Sequence, residues 1–186
     1  SVLPAAQLVL QSGLRATTLC QTRLGWANLC RILSKGRLRA KKGACILDVK
    51  DLLEHSADLH LLLHPPQALH QQGGGQDWWE QAHQLTRCFD TRMHMVMAPA
   101  YDGQDTQRFA AIAALAQQLG LPLLASARPM LHHASRRRLA DVLTAIRSGK
   151  TVEQLGRSAL VNAEQRLRSE AEMQQIFHDY PKALSN

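Results

Sequence analysis

The sequence is poor in aromatic residues and has no acidic residue before Asp48. Aromatic residues make up 4% of the 186 residues, so the core must be built from leucine, alanine, valine and isoleucine. No apolar run approaches the roughly 18–20 residues that span a bilayer. No Lys or Arg precedes Arg15. Because a signal peptide starts with a charged segment ahead of an apolar one, none is expected here.

Common motifs of catalysis and metal binding are also missing. There is no P-loop, no G-x-S-x-G, no H-E-x-x-H and no G-x-G-x-x-G. The glycines at 73–75 follow polar residues and not a strand, so they do not indicate a phosphate cradle. The cysteines show no C-x-x-C spacing, which favours reduced thiols in a cytoplasmic protein. They are Cys20, Cys30, Cys45 and Cys88.

Positive charge is in excess, and it is concentrated at the start of the chain. The net charge is +7, and eight basic residues precede the first acidic one, Asp48. Such a cluster attracts polyanions, with an affinity that falls steeply with salt. The alternative is a solvated helix face followed by a basic loop. The nucleic-acid-binding candidates are Arg31, Lys35, Arg37, Arg39, Lys41, Lys42, Arg136, Arg137 and Arg138.

Hydrophobic periodicity predicts alternating strands and helices. Strands are predicted at 6–10, 17–21, 58–63, 92–97 and 121–126, and helices at 23–36, 49–55, 77–88, 104–119 and 135–148. Asp48 is the predicted N-cap of the second helix. Ser169 and Glu172 form a capping box that opens a further short helix. This alternation, with short connections, predicts an α/β fold with a largely parallel sheet or barrel.

Three of these helices, at 23–36, 104–119 and 135–148, carry an apolar stripe, and the clearest loop lies at 65–76. Each stripe is expected to face a core. In the first helix the stripe is Leu24, Leu29, Ile32 and Leu33, and in the helix at 135–148 it is Leu139, Val142, Leu143 and Ile146.

The nine histidines raise the question of a metal site. His60 and His64 share a face of the predicted strand, but roughly 13 Å separates them, too far for one ion. After the strands at 92–97 and 121–126 come apolar residues and an arginine, which cannot build a cage for a divalent ion. A rearranged site that uses His60, His94, His132 or His133 stays open as an alternative.

Two long stretches carry a resemblance to a known family. Residues 21–43 read QTRLGWANLCRILSKGRLRAKKG, and residues 135–184 contain DVLTAIR followed by LRSEAEM. Both stretches resemble bacterial C-family (DnaE-type) DNA polymerases, and the error-prone branch more than the replicative one. The resembling part of that family is its PHP domain, a distorted α/β barrel. The resemblance therefore implies a partial (β/α)7 barrel of mainly parallel strands with a C-terminal helical extension.

The resemblance also implies that the family's metal site is degenerate in this chain. PHP domains bind metal ions, Zn or Mn, through His, Asp and Glu ligands, and the H-x-H motif that starts the set lies before this chain begins. Gln7 stands at the position of a ligand Glu. Arg128 and Met130 stand at the Asp and first His of a later motif, in which His132 keeps its type. No cofactor is expected in this chain, while the parent family uses Mg in its polymerase palm.

The domain division implied by the resemblance is a PHP-like α/β domain at 1–150, lacking its first strands, and an exit segment toward the polymerase domain at 151–186. The expected function is a non-catalytic, structural part of a translesion polymerase that contacts DNA or the other domains. Sliding clamp and other translesion-synthesis proteins are expected as partners through the parent, and a membrane is not. The alternatives are a metal-dependent phosphoesterase with a rearranged His site and an inactive truncated gene product.

Overall fold

A computed structural model describes residues 2–66, 75–160 and 162–186. Most of the predicted loop at 65–76 lies outside the described residues. The strands are β1 (Ala5–Val9), β2 (Arg15–Cys20), β3 (Leu59–Leu63), β4 (Met93–Met97) and β5 (Leu123–Ala125). The α-helices are α1 (Arg23–Leu38), α2 (Val49–Glu54), α3 (Gln76–Phe89), α4 (Asp105–Leu119), α5 (Arg137–Ser148), α6 (Glu170–Ile176) and α7 (Lys182–Ser185).

The chain divides into two compact units. The first comprises residues 1–97, 111–124 and 186, and the second comprises residues 98–110 and 125–185. The first unit contains the sheet strands up to β4 and helices α1 to α3, while the second contains α5, α6 and α7.

The sheet is mixed, which corrects the expectation of mainly parallel strands. Its order is β1-β2-β3-β4-β5, with β1–β2 and β2–β3 antiparallel and β3–β4 parallel. The first two strands form a hairpin, because a tight turn closes with a 2.9 Å bond from Gly13 N–H to the Leu10 carbonyl. Gly13 takes a φ of +83°, which glycine adopts without strain. Among the described strands the sheet is open, and it does not close into a barrel.

Helix α1 packs on the sheet of the first unit through its apolar stripe, and Gly25 lets it approach Asp58, just before β3. It contacts β2 and β3, and it buries Leu29 and Ile32. A methyl group at Gly25 would collide with the Asp58 carbonyl oxygen, so the helix comes closer there than any larger residue would permit. Leu24 is an exception to the predicted stripe, since it is 50% exposed.

The second unit is built around an aromatic cluster and a network of ion pairs. Phe109 stacks on Phe177 with 5.2 Å between ring centroids, and Tyr180 meets Phe109 edge-on at 6.0 Å. The Arg168 side chain, 7% exposed, pairs with Glu164 at 2.6 Å and with Glu172 at 3.1 Å. Ser169 and Glu172 form the predicted capping box of α6, which is confirmed.

The apolar stripe of α5 is exposed, which corrects the expectation that it faces a core. Its four members are between 42% and 71% exposed, and the helix buries only Ala145. The periodicity correctly indicated an amphipathic helix. It did not indicate what packs against the apolar stripe, because the same spacing suits a core or an interface with a partner. Separately, no helix in the described part of the chain is long and apolar enough to cross a membrane.

Candidate functional site

One face of the sheet in the first unit carries polar side chains. On β3 the alternate residues Leu59, Leu61 and Leu63 are buried, which turns His60 and Leu62 to the opposite face. Pairing between the strands then aligns Gln7, Thr17, Leu62 and His94 in one row across the first four strands.

Two histidines meet on this polar face. His60 Nε2 and His94 Nδ1 are 2.8 Å apart, and their ring centroids are 4.8 Å apart. Burial lowers the pKa of both imidazoles, and the neighbouring His94 lowers the pKa of His60 further. The short distance therefore joins a neutral pair in which one ring donates to the other.

The pair lines a cavity of about 250 Å³ together with Cys20, whose thiol pKa is raised by burial. His64 lies apart from the pair, with its Nε2 2.8 Å from the Thr17 hydroxyl. Within the described residues, no group of three or more His, Cys, Asp or Glu side chains is placed to hold a metal ion.

The four positions that the resemblance predicts to correspond to PHP ligands are divided between the two units. Gln7 is exposed on β1 of the first unit. Arg128, Met130 and His132 lie in the second unit, and all three are exposed. Arg128 has a φ of +43°, and its backbone N–H donates to the Ser126 hydroxyl at 3.2 Å. His133 accepts from the Ser135 backbone N–H at 3.3 Å and so caps a short helical turn.

Two of the basic candidates are anchored by acidic residues of α2. Lys35 pairs with Glu54 at 2.5 Å, and Arg39 donates to both oxygens of Asp51 at 2.5 and 2.7 Å. Asp51 is 1% exposed, and the Arg39 guanidinium holds the pKa of its carboxyl below the usual value. These two cations therefore tie α1 to α2, a role that the sequence pattern did not indicate.

Three further basic candidates line an open cavity, which we call the basic groove. Its volume is about 450 Å³, and Arg37, Lys41 and Lys42 are exposed in it. None of these three forms an ion pair with a described residue. A turn closed by the Ala44 N–H and the Lys41 carbonyl at 3.0 Å shapes one side, and Gly43 takes a φ of +92° in that turn. The groove is lined by Arg37, Lys41, Lys42, Gly43, Ala44 and Cys45.

The second basic run is partly paired. Arg137 pairs with Asp141 at 3.8 Å and donates to the Leu160 carbonyl at 2.7 Å. Arg136 and Arg138 are exposed. Arg31, also exposed, donates to the Asn28 side chain at 2.9 Å. The densest set of exposed cations without a described ion pair is therefore in the basic groove.

Trp26, for which the sequence pattern predicts no role, is 50% exposed on α1. It follows the exposed Arg23 by three residues, so the two side chains share a face of the helix. That spacing was the available signal, because an aromatic side chain on an acid-free basic helix fits a nucleic-acid surface better than a core.

No protein-family model matches the chain. Among curated proteins, the error-prone DNA polymerase of Sinorhizobium medicae is 38% identical over 98% of this chain. Error-prone DNA polymerase 1 of Rhizobium meliloti and the error-prone DNA polymerase of Ruegeria pomeroyi are each 37% identical over 98% of this chain. The chain spans 16% of the length of each of these three relatives.

The chain is thus similar to error-prone DNA polymerases along nearly its whole length. The expected relationship to these polymerases is confirmed at that level.

Proposed function

We propose that this chain is a non-catalytic, PHP-type portion of an error-prone DNA polymerase, and that it contacts DNA through the basic groove. The single observation that carries the DNA contact is the groove itself, where Arg37, Lys41 and Lys42 converge without a described acidic partner. Identity of 34–38% to error-prone polymerases makes DNA the polyanion to test.

The non-catalytic part of the proposal is supported by the chemistry of the family's ligand positions. Gln7 offers a neutral carbonyl, Arg128 brings a positive charge, and Met130 offers a thioether. Hard or borderline divalent ions prefer carboxylates and imidazoles. The residues present do not fit the metal ions of a PHP site, so we assign no metal-dependent step to this chain.

A second proposed contact joins this chain to the other domains of such a polymerase. The exposed apolar stripe of α5 supports it. Four large apolar side chains exposed on one helix face are typical of an interaction site. A related error-prone polymerase from which the matching segment has been deleted should bind this chain in a pull-down experiment. Changing Leu143 and Ile146 to Asp should abolish the capture if the stripe forms the interface. Unchanged capture would overturn that assignment.

Filter binding to primer–template DNA at two salt concentrations tests the DNA contact. Binding should weaken with salt, and K41E/K42E should lower the slope of log affinity against log salt by about 2, since each phosphate contact contributes about 1. R87E/R147E is the matched control, because it changes the net charge equally at two exposed arginines outside the groove. Salt-independent binding, or equal losses in both double variants, would remove the groove from the proposal.

A further inference from the structure

The outer face of α1 carries a line of exposed or half-buried side chains that leads to the basic groove. Arg23, Trp26, Cys30 and Arg37 follow one another at intervals of three, four and seven residues, which keeps them on one side of the helix. The opposite side, with Gly25, Leu29 and Ile32, is buried. The groove residues Lys41 and Lys42 follow the helix directly.

Trp26 is the aromatic member of this line. Half of its surface is exposed, and among the described rings none stacks on its indole. The other two tryptophans differ from it, because Trp78 is buried and Trp79 lies edge-on to Trp78 with 5.6 Å between centroids. An exposed indole between two arginines offers a flat surface on which a base can stack, with cations on either side for the phosphates.

The surroundings of Trp26 favour an anionic partner over a protein core. The sequence has eight basic residues and no acidic residue before Asp48, and α1 has no acidic residue along its length. The two α1-region cations that are paired, Lys35 and Arg39, contact acidic residues of α2. Arg23 and Arg37, on the same face as Trp26, form no ion pair with a described residue and are available to contact phosphates.

We infer that the outer face of α1 binds single-stranded nucleic acid, with a base stacked on Trp26 and the backbone running along Arg23 and Arg37 into the basic groove. This inference rests on the proposed DNA contact and adds to it a strand type and a stacking residue. From Trp26 to Arg37 the helix rises roughly 16 Å, at about 1.5 Å per residue. That length suits a few nucleotides of a single strand, within the site sizes of about 4–16 nucleotides of known single-strand binders.

Fluorescence titration of the whole chain with an oligothymidylate of about ten nucleotides tests the inference. Stacking should quench the emission of Trp26, and Trp26→Leu should remove that quenching and weaken binding roughly ten-fold, as measured separately by filter binding. Trp26→Tyr should restore much of the affinity, because a tyrosine ring also stacks. Leu24→Ala is the matched control: Leu24 is also 50% exposed, but two positions away it points to another side of the helix.

Binding to a DNA duplex of the same length distinguishes base stacking on Trp26 from the proposed DNA contact through the basic groove. Trp26→Leu should leave duplex binding unchanged, whereas K41E/K42E should weaken the binding of both nucleic acids. Equal binding of the single strand by Trp26→Leu and the unchanged chain would overturn the stacking role but leave the groove standing. If neither nucleic acid binds, both the proposal and the inference fail. Quenching by polyglutamate equal to that by the oligonucleotide would also overturn the inference, in favour of an acidic protein partner.

Discussion

The two units of the chain use their arginines differently. In the second unit several arginines pair with acidic residues that are close to them in sequence: Arg108 with Asp102 and Asp105, and Arg168 with Glu164 and Glu172. In the first unit eight basic residues precede the first acidic one, Asp48, and of these eight only Lys35 and Arg39, which reach α2, form ion pairs with described residues.

This difference separates cations that hold the fold from cations available to a ligand. Arg168 is 7% exposed and also lies over the Tyr101 ring, with 4.9 Å between its guanidinium carbon and the ring centroid. Arg37 is exposed and has no ion pair with a described residue. Replacing a paired and buried cation should cost stability, whereas replacing an exposed and unpaired one should cost only binding.

The largest expected effect is that of Arg168→Met. The change removes two ion pairs and a cation–π contact from a nearly buried side chain, and it leaves Glu164 and Glu172 without that partner. Because the acidic partners are partly exposed, we expect a loss of about 2–3 kcal/mol in the free energy of unfolding. Urea unfolding followed by circular dichroism measures it.

Tryptophan fluorescence localises that loss. All three tryptophans, at 26, 78 and 79, lie in the first unit. A shift in the dichroism transition without a matching shift in fluorescence would confine the damage to the second unit. A loss below about 0.5 kcal/mol would contradict the assignment of Arg168 as a structural cation.

The next effect is that of Asp51→Asn in the first unit. Asp51 is buried, receives Arg39 and also accepts from the Asp48 backbone N–H at 2.9 Å. The amide keeps one acceptor oxygen but loses the charge, so we expect a loss of about 1–2 kcal/mol. Fluorescence-monitored urea unfolding should show it, while Asp77→Asn, at an exposed position of α3, should change stability by less than about 0.5 kcal/mol. Equal losses in the two variants would mean that Arg39 contributes no anchoring.

The contrast between local and distant pairing also explains what the sequence could predict. Helix α1 was predicted from 23, and the caps at Asp48 and Ser169 are confirmed, because capping depends on residues within one turn. The pairing of Lys35 with Glu54 spans 19 residues, and that of His60 with His94 spans 34. Contacts at such separations depend on the packing of α1 and the register of β3 and β4, which a periodic pattern does not contain.

The directions of the first strands and the exposure of the α5 stripe were predicted wrongly for related reasons. The turn at Ser12 and Gly13 was a usable hairpin signal, yet strand–helix alternation was given more weight and indicated parallel strands. The α5 stripe has the same spacing whether it meets a core or a partner, so Leu143 and Ile146 looked inward-facing from the sequence. The domain division at 150 and the loss of the metal site stay predictions.

A smaller effect should come from the histidine pair, and it depends on pH. Burial lowers the pKa of His60 and His94 below the usual value near 6.5. Between the usual and the lowered pKa the unfolded chain binds more protons than the folded one, so stability is full above about pH 6.5 and falls as the pH drops through that range. Urea midpoints by tryptophan fluorescence at pH 7.5 and pH 5 should therefore differ.

The double variant H60Q/H94Q isolates the contribution of the pair. It should be less stable than the unchanged chain at pH 7.5 but should lose less stability on going to pH 5. His132→Gln, at an exposed position of the second unit, should keep the full pH dependence. A double variant with an unaltered pH dependence would show that other groups titrate in this range.

The smallest effect on stability should come from Arg37→Met, the same substitution that is most costly at Arg168. Arg37 is exposed and unpaired among the described residues, so its loss should change the free energy of unfolding by less than about 0.5 kcal/mol. Its effect should appear in DNA binding, where the slope of log affinity against log salt should fall by about 1. Arg168→Met, measured under conditions where it stays folded, should leave that slope unchanged. The opposite result would be that Arg37→Met destabilises the fold and leaves the salt slope intact. Arg37 would then be a structural cation that supports the packing of α1, and the distinction between structural and ligand-binding cations would fail in the first unit.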